Sequence, residues 1–207
     1  MKKVLLIALS VFFVLATLVY TFPAQAKNKD EVKLKILVRH TKPANQPTTC
    51  SLTTNDQVTN YLLAGWQMPT GGMTYKINYS NKPVNLTNSQ VQGAIQSSFA
   101  TWNKADSKEI FNYTGSTLVR AGRYDGINSI NWQRLSSSTI AVTYLWYYTR
   151  SGLLVETDTI FNQNLKWSST LYNGTNDCGG VPGTFDLQNI ATHEFGHWVG
   201  LNVTDTY

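Results

Sequence analysis

Of the side chains that most often hold metals or move protons, this chain of 207 residues has only three histidines, two cysteines and twelve carboxylates. Each shortage narrows the reading. Two cysteines, Cys50 and Cys178, leave no choice of connectivity, and in an exported chain the default is one structural disulfide. Closing so long a loop would stabilise the fold by about 4–5 kcal/mol in the chain-entropy model. Positive charge is scarcer than the formal +5 implies. Two lysines fall in residues 1–26, and six Lys/Arg stand in residues 27–42 against Asp30 and Glu31. Residues 43–207 carry nine basic and ten acidic side chains. A nucleic-acid surface needs a basic stripe within the folded part, and none is visible, so no nucleic-acid partner is expected. Outside residues 4–22 no apolar run approaches the length that spans a bilayer. No stable membrane association is therefore expected of the mature chain. There is no internal repeat and no low-complexity tract, which leaves one domain plus a leader.

The start of the chain has a definite grammar. Met1, Lys2 and Lys3 precede the apolar run, and Ala24-Gln25-Ala26 ends it. A basic start, an apolar middle and an Ala-x-Ala end form a secretory signal cut after Ala26. An uncleaved anchor is the alternative, but it has no use for the Ala-x-Ala end. The expected product is secreted and extracellular. Residues 27–60, rich in Lys, Thr, Asn and Pro, read as a leader or short pro-segment with one strand at "VKLKILV" and an otherwise solvated basic start. Residues 61–207 form the folded domain.

Within that domain the periodicity alternates between two and about 3.6. Met73, Tyr75, Ile77 and Tyr79 alternate with polar residues, as in a strand. Val91, Ala94, Ile95, Phe99 and Trp102 fall at helical spacing, with Thr87, Asn88 or Ser89 as the cap. Shorter strands are expected at "IFNYTG" and "GINSINW". A hairpin is expected where "TIAVTYLWYY" and "LLVETDTIFN" flank "TRSG". A last helix over residues 187–199 would be capped by Asp186, stapled by Phe185 to Ile190, and stopped by Gly200. Strand, helix, several strands and a final helix make a mixed α/β (α+β) domain with a largely β centre.

The last helix carries "HEFGH". His193 and His197, four residues apart, stand one above the other on the same face. Two imidazoles so placed can bind one Zn²⁺ from one side and leave its other positions open. Glu194 projects about 100° further round the helix, where its carboxylate reaches a water on the metal rather than the metal itself. It can then take that water's proton and pass it to a leaving amine. With three histidines and four glutamates in the chain, the pattern arises by chance in roughly one chain in a thousand. Glu156 and Asp158, the other paired carboxylates, are expected to be structural or solvent-facing.

The stretch "FDLQNIATHEFGHWVGL" resembles the active helix of the matrixins, zinc proteases of the metzincin clan. His193, Glu194, His197 and Gly200 match the family's first ligand, catalytic glutamate, second ligand and turn glycine. "AGWQMPTGGMTYKINYS" is similar to its first strand, "VQGAIQSSFATWNKA" to its first helix, and "IAVTYLWYYTRSGLLVETDTIFNQNLKW" to the edge and inner strands of bacterial members. The likeness covers about residues 62–203. It implies a zincin-like catalytic domain with a twisted, mostly β sheet, and a secreted zinc-dependent endopeptidase acting on protein or peptide. It also implies that residues 139–146 form an edge strand that holds substrate main chain.

Three departures stand out. Cys50 lies in "TTCSL" rather than in the family's Pro-Arg-Cys-Gly switch, so a disulfide to Cys178 is expected in preference to a zinc-capping thiolate. His40 is the only histidine outside the motif, so the family's structural second zinc site is expected to be absent. The family's third ligand falls six residues after the second histidine, which here is Val203, and the family's Met-turn lies beyond the last residue. Asn202 is a neutral, poor ligand, and His40 lies in the leader. Two expectations stay open. Either Asp205, eight residues after His197, is the third metal ligand through a two-residue detour, or the chain is cut short inside its catalytic domain. In the second case a zincin-fold protein that binds zinc or peptide weakly without catalysis is the alternative function. A zincin of the other branch, with a glutamate ligand on a later helix, is disfavoured by Gly200.

Overall fold

The computed structural model describes residues 30–41, 62–106, 111–169, 181 and 183–202. The signal, both cysteines, Val203 and Asp205 lie outside them. The strand expected in the leader is β1 (Val32–His40), and a two-residue strand, β2 (Leu62–Leu63), opens the domain. In β3 (Met73–Ile77) the expected alternation holds, with Met73, Tyr75 and Ile77 buried and Thr74 exposed. The first helix, α1 (Asn88–Asp106), starts at Thr87 for a local reason. Thr87 Oγ1 accepts the Gln90 N–H at 3.2 Å while Gln90 Oε1 accepts the Thr87 N–H at 2.8 Å. That reciprocal box satisfies two donors the helix itself leaves open. Val91, Ala94, Ile95 and Phe99 form its buried stripe.

Next come β4 (Phe111–Ser116) and β5 (Ser129–Gln133), then the hairpin strands β6 (Thr139–Tyr148) and β7 (Leu154–Asn162) around the "TRSG" turn. Two short strands, β8 (Trp167–Ser168) and β9 (Phe185–Asp186), pair in parallel just before α2 (Leu187–Trp198), and β10 (Leu201–Asn202) follows it. The main sheet runs β1-β6-β7-β5-β3-β4. Pairing is antiparallel across β1, β6 and β7 and parallel from β7 through β4. This is a mixed α+β fold with a mostly β centre and two helices. No helix among the described residues is long and apolar enough to cross a membrane.

Aromatic packing joins the helices to one face of the sheet. Phe99 of α1 and Phe195 of α2 stack with ring centroids 3.7 Å apart and planes 2° apart, and Trp198 meets both edge-on. Each is buried, and such pairs add about 0.5–1.5 kcal/mol beyond their area. The opposite face is covered by residues 117–128. There Asp158 Oδ2 accepts the Gly122 N–H at 2.6 Å, and Oδ1 accepts the Ser129 N–H and hydroxyl at 2.8 and 2.9 Å. Glu156 accepts from Asp125 and Gly126 main chain. Both carboxylates are fully buried. They are structural, and they are not solvent-facing.

Helix α2 ends as the sequence requires. Asp186 caps it, accepting the Asn189 N–H at 2.8 Å. Gly200 has φ 91°, and a Cβ there would lie 2.7 Å from the Trp66 carbonyl oxygen, so only glycine fits. The chain then turns back to pair β10 with β2, and the Trp66 indole donates to the His197 carbonyl at 2.7 Å.

One placement differs from the sequence reading. Residues 139–146 were expected to be an edge with an open side, yet β1 pairs with β6 along nine register positions. The leader's strand is thus part of the sheet rather than a solvated lead-in. An open β6 edge would leave a row of main-chain donors and acceptors unpaired, and β1 supplies their partners.

Candidate metal centre

His193, Glu194 and His197 meet on the face of α2 turned toward β6. One donor atom from each lies within 4.8 Å of the others, and the two imidazole centroids are 5.0 Å apart at 85°. Glu194 and His197 are buried, and His193 is half-buried. Helical spacing alone brings the three together. What surrounds them decides their chemistry.

His197 Nδ1 lies 2.8 Å from the Leu201 carbonyl oxygen, which can only accept, so Nδ1 carries the proton. Its Nε2 is left with a lone pair. The carbonyl is presented by the turn at Gly200, so the glycine that stops the helix also sets the tautomer. His193 Nε2 is buried and makes no hydrogen bond among the described residues. Burial pushes the His193 imidazole down to about 3, helped by the Arg39 and His197 charges. His197 is also lowered, chiefly by burial and then by Arg39, against the pull of the Leu201 carbonyl. Both rings are therefore neutral at physiological pH, which is the form that ligates metal.

Glu194 is held from the sheet. Thr143 Oγ1 of β6 donates to Glu194 Oε2 at 2.7 Å. Having given its only proton there, Thr143 must accept at its 3.0 Å contact with Thr159 Oγ1 of β7, and Thr159 in turn accepts the Trp198 indole N–H at 3.0 Å. The chain Trp198–Thr159–Thr143–Glu194 has one consistent direction, ending on the carboxylate. Glu194 Oε1 is buried and has no partner among the described residues. Burial raises the Glu194 carboxyl to about 7, with Thr143 and Arg39 opposing the rise.

Unpaired buried lone pairs cost about 1–3 kcal/mol each. Here His193 Nε2 and Glu194 Oε1 are two such atoms within one cluster, beside the free lone pair of His197 Nε2. Two neutral imidazole nitrogens suit a divalent cation of borderline softness, with the Glu194 carboxylate beside them. Asp205 lies outside the described residues. His40 is exposed on β1, 3.3 Å from the Ser138 carbonyl, and takes no part in the cluster.

Sequence reading missed Thr143, Thr159 and Trp198. A partial signal was present, since threonines interrupt the apolar faces of both hairpin strands, but the register next to "TRSG" would set Thr143 opposite Asp158, and a shift between Trp146 and Tyr147 brings it opposite Thr159 instead. No protein-family model matches the chain, and no curated protein matches it.

Proposed function

We propose that the chain is a secreted zinc-dependent endopeptidase with a matrixin-like, zincin-type catalytic domain. The observation that carries this reading is the convergence of His193, His197 and Glu194, each with a buried or tautomer-fixed lone pair, within one 4.8 Å cluster. The element order β3-α1-β4-β5-β6-β7-α2, with β6 antiparallel beside the parallel strands, supports the fold assignment.

His193 and His197 would hold the metal, with Asp205 as the proposed third protein ligand. Bound there, zinc would supply a Lewis acid for the scissile carbonyl and make a water acidic enough to lose its proton near neutral pH. Glu194 Oε1 would take a proton from the attacking water and deliver it to the departing amine nitrogen, so that one water is consumed and one carboxylate and one amine are formed. Thr143 fixes Oε2, which keeps Oε1 turned to the cluster. A carboxyl raised toward 7 by burial exchanges protons near neutrality with little driving-force penalty.

Zinc content and casein cleavage, compared between wild type and Glu194→Gln, test the reading. One zinc per chain in both proteins, with turnover largely lost in the variant, is expected. Equal cleavage by the two proteins refutes it.

A further inference from the structure

The strand expected to receive a peptide already has one. From Val32 opposite Tyr148 to His40 opposite Thr139, β1 runs antiparallel along the whole of β6, whose other side is taken by β7. Its anchorage is mostly main chain. Beyond the ladder, the Thr149 N–H donates to the Glu31 carbonyl at 2.8 Å and the Thr41 N–H to the Ser138 carbonyl at 2.8 Å. At the N-terminal end the Arg150 N–H reaches Asp30 Oδ1 at 2.8 Å. Main-chain pairing with a few side-chain pockets is how an extended peptide adds to a sheet.

The side-chain pattern of β1 is equally uneven. Leu34, Ile36 and Val38, on one face, are 48, 45 and 39% exposed, although they are apolar. On the other face Leu37 is buried directly opposite Thr143, the residue that touches Glu194. Arg39 stands two residues on, opposite Ala141, and its charge reaches His193, Glu194 and His197. Strand alternation puts Lys35, Leu37 and Arg39 on that same side. Among the described residues, the segment paired to β6 beside the candidate centre therefore reads basic-x-Leu-x-Arg.

We propose that β1 is an internal peptide ligand of the β6 edge, which closes the site to other chains while it is seated and marks the edge as selective for extended peptides carrying an aliphatic residue opposite Thr143 and a cation opposite Ala141. That such a peptide is also a substrate rests on the proposed peptidase; occupancy of the edge does not. A tethered segment acts at an effective concentration on the order of millimolar. A free peptide with an affinity of about 10 μM would therefore bind the seated form about 100-fold more weakly than the open form.

The test uses the full chain and a fluorescein-labelled peptide, EVKLKILVRHT, which copies residues 31–41. Leu37→Asp unseats β1 by placing a carboxylate on the buried face opposite Thr143, whose hydroxyl touches Glu194; Ile36→Lys, on the exposed face, is the control. Anisotropy should show peptide binding to Leu37→Asp at least about 100-fold tighter than to wild type or Ile36→Lys. A peptide with aspartate at the position of Leu37 should not bind. In Leu37→Asp, hydrogen exchange of the β6 amides should quicken and be slowed again by the unlabelled peptide. A double variant, Leu37→Ala with Arg39→Ala, repeats the comparison without an inserted charge should Leu37→Asp lose its near-ultraviolet circular dichroism. Equal peptide affinity for wild type and the unseated variants overturns the proposal, as does an exposed β6 that ignores the peptide. Casein cleavage by the same proteins separates the two readings: binding without cleavage upholds the internal ligand and sinks the peptidase.

Discussion

Replacing Thr143 by valine removes one hydroxyl from the centre and leaves His193 and His197 untouched. In the native arrangement that hydroxyl donates to Glu194 Oε2 at 2.7 Å inside a buried site. A hydrogen bond to a charged group contributes about 1.5–3 kcal/mol, and one pKa unit corresponds to about 1.4 kcal/mol. Because the bond favours the ionised carboxylate, its loss should raise the Glu194 pKa by about one to two units. A base with a raised folded pKa is protonated over a wider range, so the acid limb of the pH–rate profile should move to higher pH by the same amount. At a pH on that limb, kcat/KM should fall about 10- to 100-fold, while the high-pH plateau changes less. Valine also strands the Thr159 hydroxyl, which should lower stability by about 1–3 kcal/mol. The assay is peptide cleavage from pH 5 to 9 with zinc content and thermal midpoint measured alongside, and Thr143→Ser as the rescue. An unmoved acid limb in a fully zinc-loaded Thr143→Val protein would refute the role assigned to the hydroxyl, because a purely structural loss does not shift a pKa.

Two further outcomes follow from the same geometry. His197→Ala should abolish tight zinc binding, since so few protein ligands rarely hold the metal; normal metal content by mass spectrometry or a chelator assay would remove His197 from the ligand set. Burial raises the Asp158 carboxyl from 3.8 to about 7, against its bonds from Ser129 and Gly122. The folded state therefore holds the proton more tightly, and the stability from this group is present below about pH 4 and lost as pH rises through about 7. Stability of wild type relative to Asp158→Asn should decline by about 4 kcal/mol between pH 4 and 8 in urea melts. A difference that grows with pH would mean that the three donors outweigh burial.

The parts of the fold that could be read from sequence are those governed by local rules. The α1 stripe, the Asp186 cap, the glycine stop at Gly200 and the hairpin about "TRSG" each depend on residues within a few positions of one another, and each is present in the structure. The spacing of His193, Glu194 and His197 belongs to the same group, because helical geometry by itself brings their donor atoms together. Thr87 rather than Asn88 or Ser89 caps α1, and it does so by exchanging hydrogen bonds with Gln90 three residues on.

What could not be read are the contacts set by which strand lies beside which. Periodicity reports that Glu156 and Asp158 share a face of β7, but not that residues 117–128 fold over that face and donate to both carboxylates. It reports that β1 is a strand, but a basic strand with three of its five apolar side chains exposed has no pattern that names its neighbour. The pairing of β1 with β6 crosses about a hundred residues of chain and is satisfied by main-chain groups that every sequence possesses. For the same reason the support of Glu194 was hidden. Thr143 acts on the helix through a register that exists only once β6, β7 and α2 are assembled, so the helix motif could be read from its spacing while the hydroxyls that orient its carboxylate required the assembled sheet.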